Sequence, residues 1–228
     1  MHTFSTLMNG RLSTMKFHTN IITSWIDLPN YNSMIIHSLE PCNLNCYGCF
    51  NKHLPDEKES YTDSQIVDII KLQSRTCEAV IFSGGEFLVN SFIRIFYLLK
   101  RVRREFNGII IVNSNGTFPD KIEKLFSFGL IDGVHLDLKI PFSMTMRRAN
   151  RILGITDGQI IAYKSSIKQS IEILNQSKSK FNRIRTVKYP SFTEDDLQEI
   201  QDYVKQHAPN IPYDQNEFLV LKKGDKYV

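Results

Sequence analysis

From about residue 33 onward the chain alternates short apolar segments with amphipathic ones, and this alternation restricts the fold more than any other feature. Ser33-Met34-Ile35-Ile36-His37-Ser38 is short and apolar and reads as a first strand. Ala79–Phe82, Ile109–Val112, Val134–Leu138, Ile184–Val187 and Phe218–Leu221 read as further strands. Helical patterns lie between them. Thr62 and Gln65 form a capping box, and Ile66, Ile69 and Ile70 follow at helical spacing. Ser91 to Arg104 reads as a helix with Phe92, Phe96, Leu99 and Arg103 on one stripe, stopped by Asn107-Gly108. Pro119 suits a first helical turn, and Gly129 ends that helix. Residues 142–159 read as irregular, a helix near Ser165–Asn175 follows, and Thr193 caps another that runs to about His207. Strands separated by helices imply an α/β fold with a parallel sheet. Six units in 228 residues suit an open, partial (β/α)6 barrel, because the closed eight-unit form usually takes about 250 residues. Residues 33–228 are expected to form one core domain, with 1–32 an extension packed across its end.

Apolar residues make up 42% of the chain and charged residues 23%, enough to bury a core without staples. The formal charge of +4 is thinly spread. Its densest run, Lys100-Arg101-Val102-Arg103-Arg104, comes late in a helix, where cations suit the macrodipole, and reads as a solvated end. Basic stripes interleaved with exposed aromatics are missing, so no nucleic-acid partner is expected. No apolar run approaches the roughly 20 residues of a membrane span, and Met1–Leu12 lacks the apolar core of a secretion signal. The expectation is a cytoplasmic protein with no membrane partner.

Of four cysteines, three fall within eight residues, as Cys42, Cys46 and Cys49 in a C-x3-C-x2-C pattern. That is no disulfide framework. Three thiolates on one loop can hold three irons of a cubane, whereas a complete cluster site has four. The fourth iron is then open to a cofactor or substrate. Zinc is the competing occupant, with His53 near enough in sequence to act as a fourth ligand. Packing cysteines fit poorly in a loop rich in Asn and Gly. Cys77, alone before the second strand, reads as a buried structural thiol.

A C-x3-C-x2-C loop after the first strand resembles the radical S-adenosylmethionine (SAM) superfamily, and the resemblance runs from about Ser24 to Leu221. It implies a [4Fe–4S] cluster on Cys42, Cys46 and Cys49 whose open iron binds the amino and carboxylate groups of SAM. It also implies reductive cleavage of SAM to methionine and a 5′-deoxyadenosyl radical, which removes a hydrogen atom from substrate. Ser83-Gly84-Gly85-Glu86 resembles the family's GGE motif, which contacts the SAM amino group. Two glycines permit close backbone approach, and the Glu86 carboxylate can pair with an ammonium. Val112-Asn113-Ser114-Asn115-Gly116-Thr117 resembles the D-T-N-G segment of glycyl-radical-enzyme activating enzymes, and Leu136-Asp137-Leu138-Lys139 their D-x-K. These imply SAM contacts from Ser114, Asp137 and Lys139, and a monovalent cation near Ser114 and Asp137. Strand alternation puts Asp137 and Lys139 on one face. Arg183–Val187 with Pro190 resembles R-T-x-V-x-P, which aims Arg185 at SAM.

Three segments narrow the resemblance to activators of anaerobic ribonucleoside-triphosphate reductase: Ser24–Pro29 (S-x-x-D-x-P), Cys46–Lys52 and Asp137–Pro141. The family usually has an aromatic before the third cysteine, packed on adenine. Here Gly48 stands there, so Tyr47 or Phe50 is expected to do the packing. Phe87 follows GGE where Pro is usual, and Asn113 replaces the Asp of D-T-N-G. The implied partner is a glycyl radical enzyme, anaerobic ribonucleotide reductase, with a flavodoxin- or ferredoxin-type electron donor. The alternatives are a small-molecule radical SAM enzyme similar to 7-carboxy-7-deazaguanine synthase, a peptide modifier, or a non-catalytic Fe–S or zinc module. One cysteine beyond the triad cannot build an auxiliary cluster, which counts against multi-cluster peptide-maturing enzymes and activases with a ferredoxin-like insert. It does not separate a minimal activase from a small-substrate enzyme. His135 reads as a packed strand residue.

Overall fold

Six strands pair edge to edge in a computed structural model that describes residues 14–56 and 58–219. In chain order the elements are β1 (Lys16–Phe17), β2 (Ile22–Ser24), β3 (Ser33–Ser38), β4 (Tyr61–Thr62), α1 (Asp63–Gln73), β5 (Ala79–Gly84), α2 (Phe92–Glu105) and β6 (Ile109–Ser114). There follow α3 (Pro119–Ser127), β7 (Gly133–Asp137), α4 (Met146–Leu153), α5 (Asp157–Ser177), β8 (Arg183–Lys188), α6 (Glu194–His207) and β9 (Tyr213–Glu217). Strands β3, β5, β6, β7, β8 and β9 are parallel neighbours in that order, each joined to the next through helix. This is the open, partial (β/α)6 arrangement expected. The sheet is larger than that core, however. Short antiparallel strands β1 and β2 both pair with β3, and β4 pairs with β1.

The central strands β3, β5, β6 and β7 are largely apolar because both faces are covered. On one face Val80, Phe82, Val112, Val134 and Leu136 pack under helix residues such as Ile70, Leu99, Leu125 and Ile167. On the other, Ile35, Ile81 and Ile111 close a smaller cluster with Leu28, against which Tyr31 and Phe181 pack. Each such side chain, fully buried, contributes about 1.5–3 kcal/mol. No helix among the described residues is long and apolar enough to cross a membrane.

Four expectations need correction. The buried face of α2 is Ile95, Leu98, Leu99 and Val102, while Phe92 and Phe96 turn to its flank and meet Phe128. The stretch 142–159, expected to be irregular, contains α4, whose apolar Met146, Ala149, Ile152 and Leu153 follow helical spacing over only two turns. A salt bridge from Arg148 to Asp196 ties α4 to α6. Helix α5 starts at Asp157 rather than near Ser165, because Thr156 and Gln159 form a capping box. Among the described residues the last strand is Tyr213–Glu217, and Phe218 and Leu219 of the expected 218–221 strand lie beyond its end. The strand is polar and held by backbone pairing to β8 with Arg183–Asp214 and Lys188–Glu217 ion pairs, so it carries no apolar pattern. Val220 and Leu221 lie outside the described residues.

Candidate active site

Parallel strands point their carboxyl ends the same way, so every loop that follows one opens on the same edge. The loop after β3 carries Cys42, Cys46 and Cys49. Its backbone is held by α4, with Asn45 N–H donating to Leu153 O (3.0 Å) and Tyr47 N–H to Ile152 O (2.8 Å). The loop after β5 turns sharply at Gly84, which has φ +123° and would place a Cβ 2.2 Å from Ser38 O. Only glycine tolerates both conditions.

These loop ends enclose one open cavity of about 390 Å³, within the range of small-ligand sites. Every site residue expected from the sequence borders it: Cys42, Cys46, Tyr47, Cys49, Phe50, Gly84, Gly85, Glu86, Ser114, Asp137, Lys139 and Arg185. Burial pushes the Cys42 thiol up to about 11, and burial raises Cys46 too, partly offset by the Lys139 charge. Among the described residues, no three His, Cys, Asp or Glu side chains are grouped so that they could hold a metal ion. Three cysteines border this one cavity, and cysteine thiolates are the usual ligands of iron–sulfur clusters, one to each iron.

Asp137 organises another part of the cavity wall. Its Oδ1 accepts from Arg185 Nε (3.1 Å) and Nη2 (3.0 Å), and its Oδ2 from Lys139 Nζ (3.1 Å). Burial pushes the Asp137 carboxyl up, but the two cations outweigh it and hold the group below its usual range. Burial lowers Lys139, and the charge of Asp137 reverses this, leaving the ammonium firmly protonated. Glu86 is 2% exposed and accepts from Leu88 N–H (3.1 Å), Ser114 Oγ (3.1 Å) and Asn115 N–H (2.7 Å). Burial dominates those bonds and lifts its pKa to about 7. Glu86 thus ties the β5 turn to the β6 turn as well as facing the cavity.

Asp27, Asn51, Asn115, Tyr189 and Phe218 also line the cavity and were not assigned a site role from the sequence. Asp27 lies in the S-x-x-D-x-P segment, Asn51 in Cys46–Lys52, Asn115 in the D-T-N-G-like segment and Tyr189 just before Pro190, so those four carried a signal. Phe218 carried none. Cys77 is buried, with its thiol donating to Ala79 O (3.0 Å), and His135 is fully buried, both as expected.

Residues 39–204 match the radical SAM superfamily, and the chain belongs to that superfamily. More narrowly, it is 29% identical over 208 residues to a Methanocaldococcus jannaschii protein named "Putative glycyl-radical enzyme activating enzyme MJ1227", covering 87% of this chain and 82% of that one. Among solved structures it is similar to anSMEcpe with bound AdoMet, at TM-score 0.57 and 18% identity, over 82% of this chain and 51% of that one. It is also similar to Streptococcus suis SuiB bound to S-adenosylmethionine, at TM-score 0.56 and 17% identity, over 81% of this chain and 38% of that one. The chain therefore spans about half or less of these structures' length, and the likeness is one of fold.

Proposed function

We propose that this radical SAM enzyme holds a [4Fe–4S] cluster through Cys42, Cys46 and Cys49, binds SAM beside it, and generates a glycyl radical on an anaerobic ribonucleotide reductase. The observation that carries the reading is the convergence of the three cysteines, Gly84-Gly85-Glu86, Asp137, Lys139 and Arg185 on one open cavity. When bound, the cluster supplies the single electron for reductive cleavage of SAM. The chain's own residues bind and orient. Lys139 and Arg185 offer positive charge to the SAM carboxylate, and Asp137 aims both side chains. Glu86 and the Gly84 and Gly85 backbone face the ammonium. Tyr47, Phe50 and Phe218 form an apolar wall for the adenine.

A cavity open to solvent can admit a glycine-bearing segment of a partner protein. The curated relative's name and the resemblance of Ser24–Pro29 and Cys46–Lys52 support that partner class. The electron donor in this reading is a flavodoxin- or ferredoxin-type protein. A monovalent cation near Ser114 and Asp137 would compete with Lys139 and Arg185, which already donate to both Asp137 oxygens.

Anaerobic reconstitution should load about four irons per chain, and the reduced protein should cleave SAM. Cys→Ala changes at 42, 46 or 49 should abolish both. Mixed with an anaerobic ribonucleotide reductase, the enzyme should give a glycyl radical doublet in electron paramagnetic resonance. Competent SAM cleavage without that doublet overturns the partner assignment; a zinc-loaded, colourless protein overturns the cluster.

A further inference from the structure

The first cysteine of the triad receives a side-chain hydrogen bond. Asn115 Nδ2 lies 3.5 Å from Cys42 Sγ, and Leu44 N–H lies 3.4 Å from the same sulfur. Cys46 instead has charged neighbours, Lys139 and Asp137.

The orientation of the Asn115 amide is forced by its other partners. Its Oδ1 accepts from Thr117 N–H (3.0 Å) and from Thr117 Oγ1 (2.6 Å), so the amino group must face the other way. One Nδ2 hydrogen goes to Asn43 Oδ1 (2.8 Å), and Asn43 Nδ2 in turn donates to Thr117 Oγ1 (2.9 Å). Three side chains close a ring, and the second Nδ2 hydrogen is left for the sulfur. The backbone beneath is pinned too, with Asn115 N–H donating to Glu86 Oε2 (2.7 Å). At 4% exposure, Asn115 meets little competition from water. The ring joins the cysteine loop to the turn after β6.

An N–H···S bond favours the form of a thiolate that carries more negative charge. One-electron reduction of a cluster puts more charge on its sulfurs, so such a bond makes reduction easier. We propose that Asn115 is a positioning residue that raises the reduction potential of the cluster held by Cys42, with Asn43 and Thr117 locking its amide toward the sulfur. This rests on the cluster assignment made above.

The test reconstitutes wild type, Asn115→Ala, Asn115→Asp and Thr117→Val anaerobically. It measures iron content and follows reduction by dithionite, a one-electron reductant, with electron paramagnetic resonance at set potentials and without SAM. Asn115→Ala should retain its iron and disfavour reduction about threefold to tenfold, tenfold being about 59 mV for one electron. Asn115→Asp should shift further, because a carboxylate replaces the donor. Thr117→Val should shift less, in the same direction. Unchanged potentials with full iron overturn the proposal. So does loss of iron in all three variants, which would make the ring an assembly device. A wild-type protein that binds no cluster overturns the cluster assignment and this inference with it.

Discussion

Phe218 lies across Gly48, where an added Cβ would come 2.3 Å from the ring's Cζ. Tyr47 stacks on the same ring, with centroids 5.5 Å apart and planes 14° from parallel, and Tyr189 packs nearby at 5.7 Å. The place that an aromatic side chain at residue 48 would fill is taken by a ring from the far end of the chain.

Gly48→Ala should therefore do two kinds of damage. Residue 48 has φ +62°, which strains any side chain by about 1–2 kcal/mol, and the new methyl group displaces Phe218. Denaturant unfolding should show a loss of about 1–3 kcal/mol. Phe218→Leu keeps apolar bulk but removes the ring, and equilibrium binding should show SAM affinity falling about twofold to tenfold.

Asp137→Asn leaves Lys139 and Arg185 facing each other without a counter-charge. The Asp137 side chain is 33% exposed, so the expected loss is about 1–3 kcal/mol at pH 7, below that of a fully buried pair. Its folded-state pKa lies below the ordinary 3.8. Its stabilisation is present above that ordinary value and lost as pH falls through the folded one. Unfolding curves for wild type and variant should stay apart from pH 8 to 5 and converge in stronger acid.

Glu86→Ala strands Leu88 N–H, Asn115 N–H and the Ser114 hydroxyl, and should cost about 3 kcal/mol or more. Glu86→Gln retains one acceptor oxygen and should cost less. Thermal unfolding monitored by circular dichroism ranks the two.

Two buried groups should oppose each other between pH 4.5 and 6.5. Burial lifts Glu86 from 4.5 to about 7, so its contribution is full below 4.5 and is lost as pH rises toward 7. Burial, aided by Arg185 and Arg183, lowers His135 from 6.5 to about 3, so its contribution is full above 6.5 and is lost as pH falls. Each slope approaches about 1.4 kcal/mol per pH unit, and in wild type they largely cancel. Glu86→Gln should expose a stability that falls with acid, and His135→Gln one that falls with base. Denaturant midpoints at pH 4.5, 5.5 and 6.5 check both signs.

The strand ends of the site were legible because each motif occupies a few consecutive residues after an apolar run. Cys42–Cys49, Ser83–Glu86 and Asp137–Lys139 are of this kind, and all border the same cavity. Helix α4 was missed because its apolar stripe, Met146, Ala149, Ile152 and Leu153, spans only two turns among three arginines. Strand β9 was not, because it is a polar edge chosen by register against β8. The helix α2 stripe was misassigned because its aromatic flank and its aliphatic face share helical spacing.

The parallel βα architecture and the motifs that follow the strands can be read along the chain. Both depend on local periodicity and on residues adjacent in the chain. That Phe218 fills the space beside Gly48, that Glu86 ties the turns after β5 and β6, and that Asn115 reaches the Cys42 sulfur emerge only in the folded chain. Each of these joins loops whose separation is set by strand spacing and register across the sheet, quantities that no stretch of residues encodes alone.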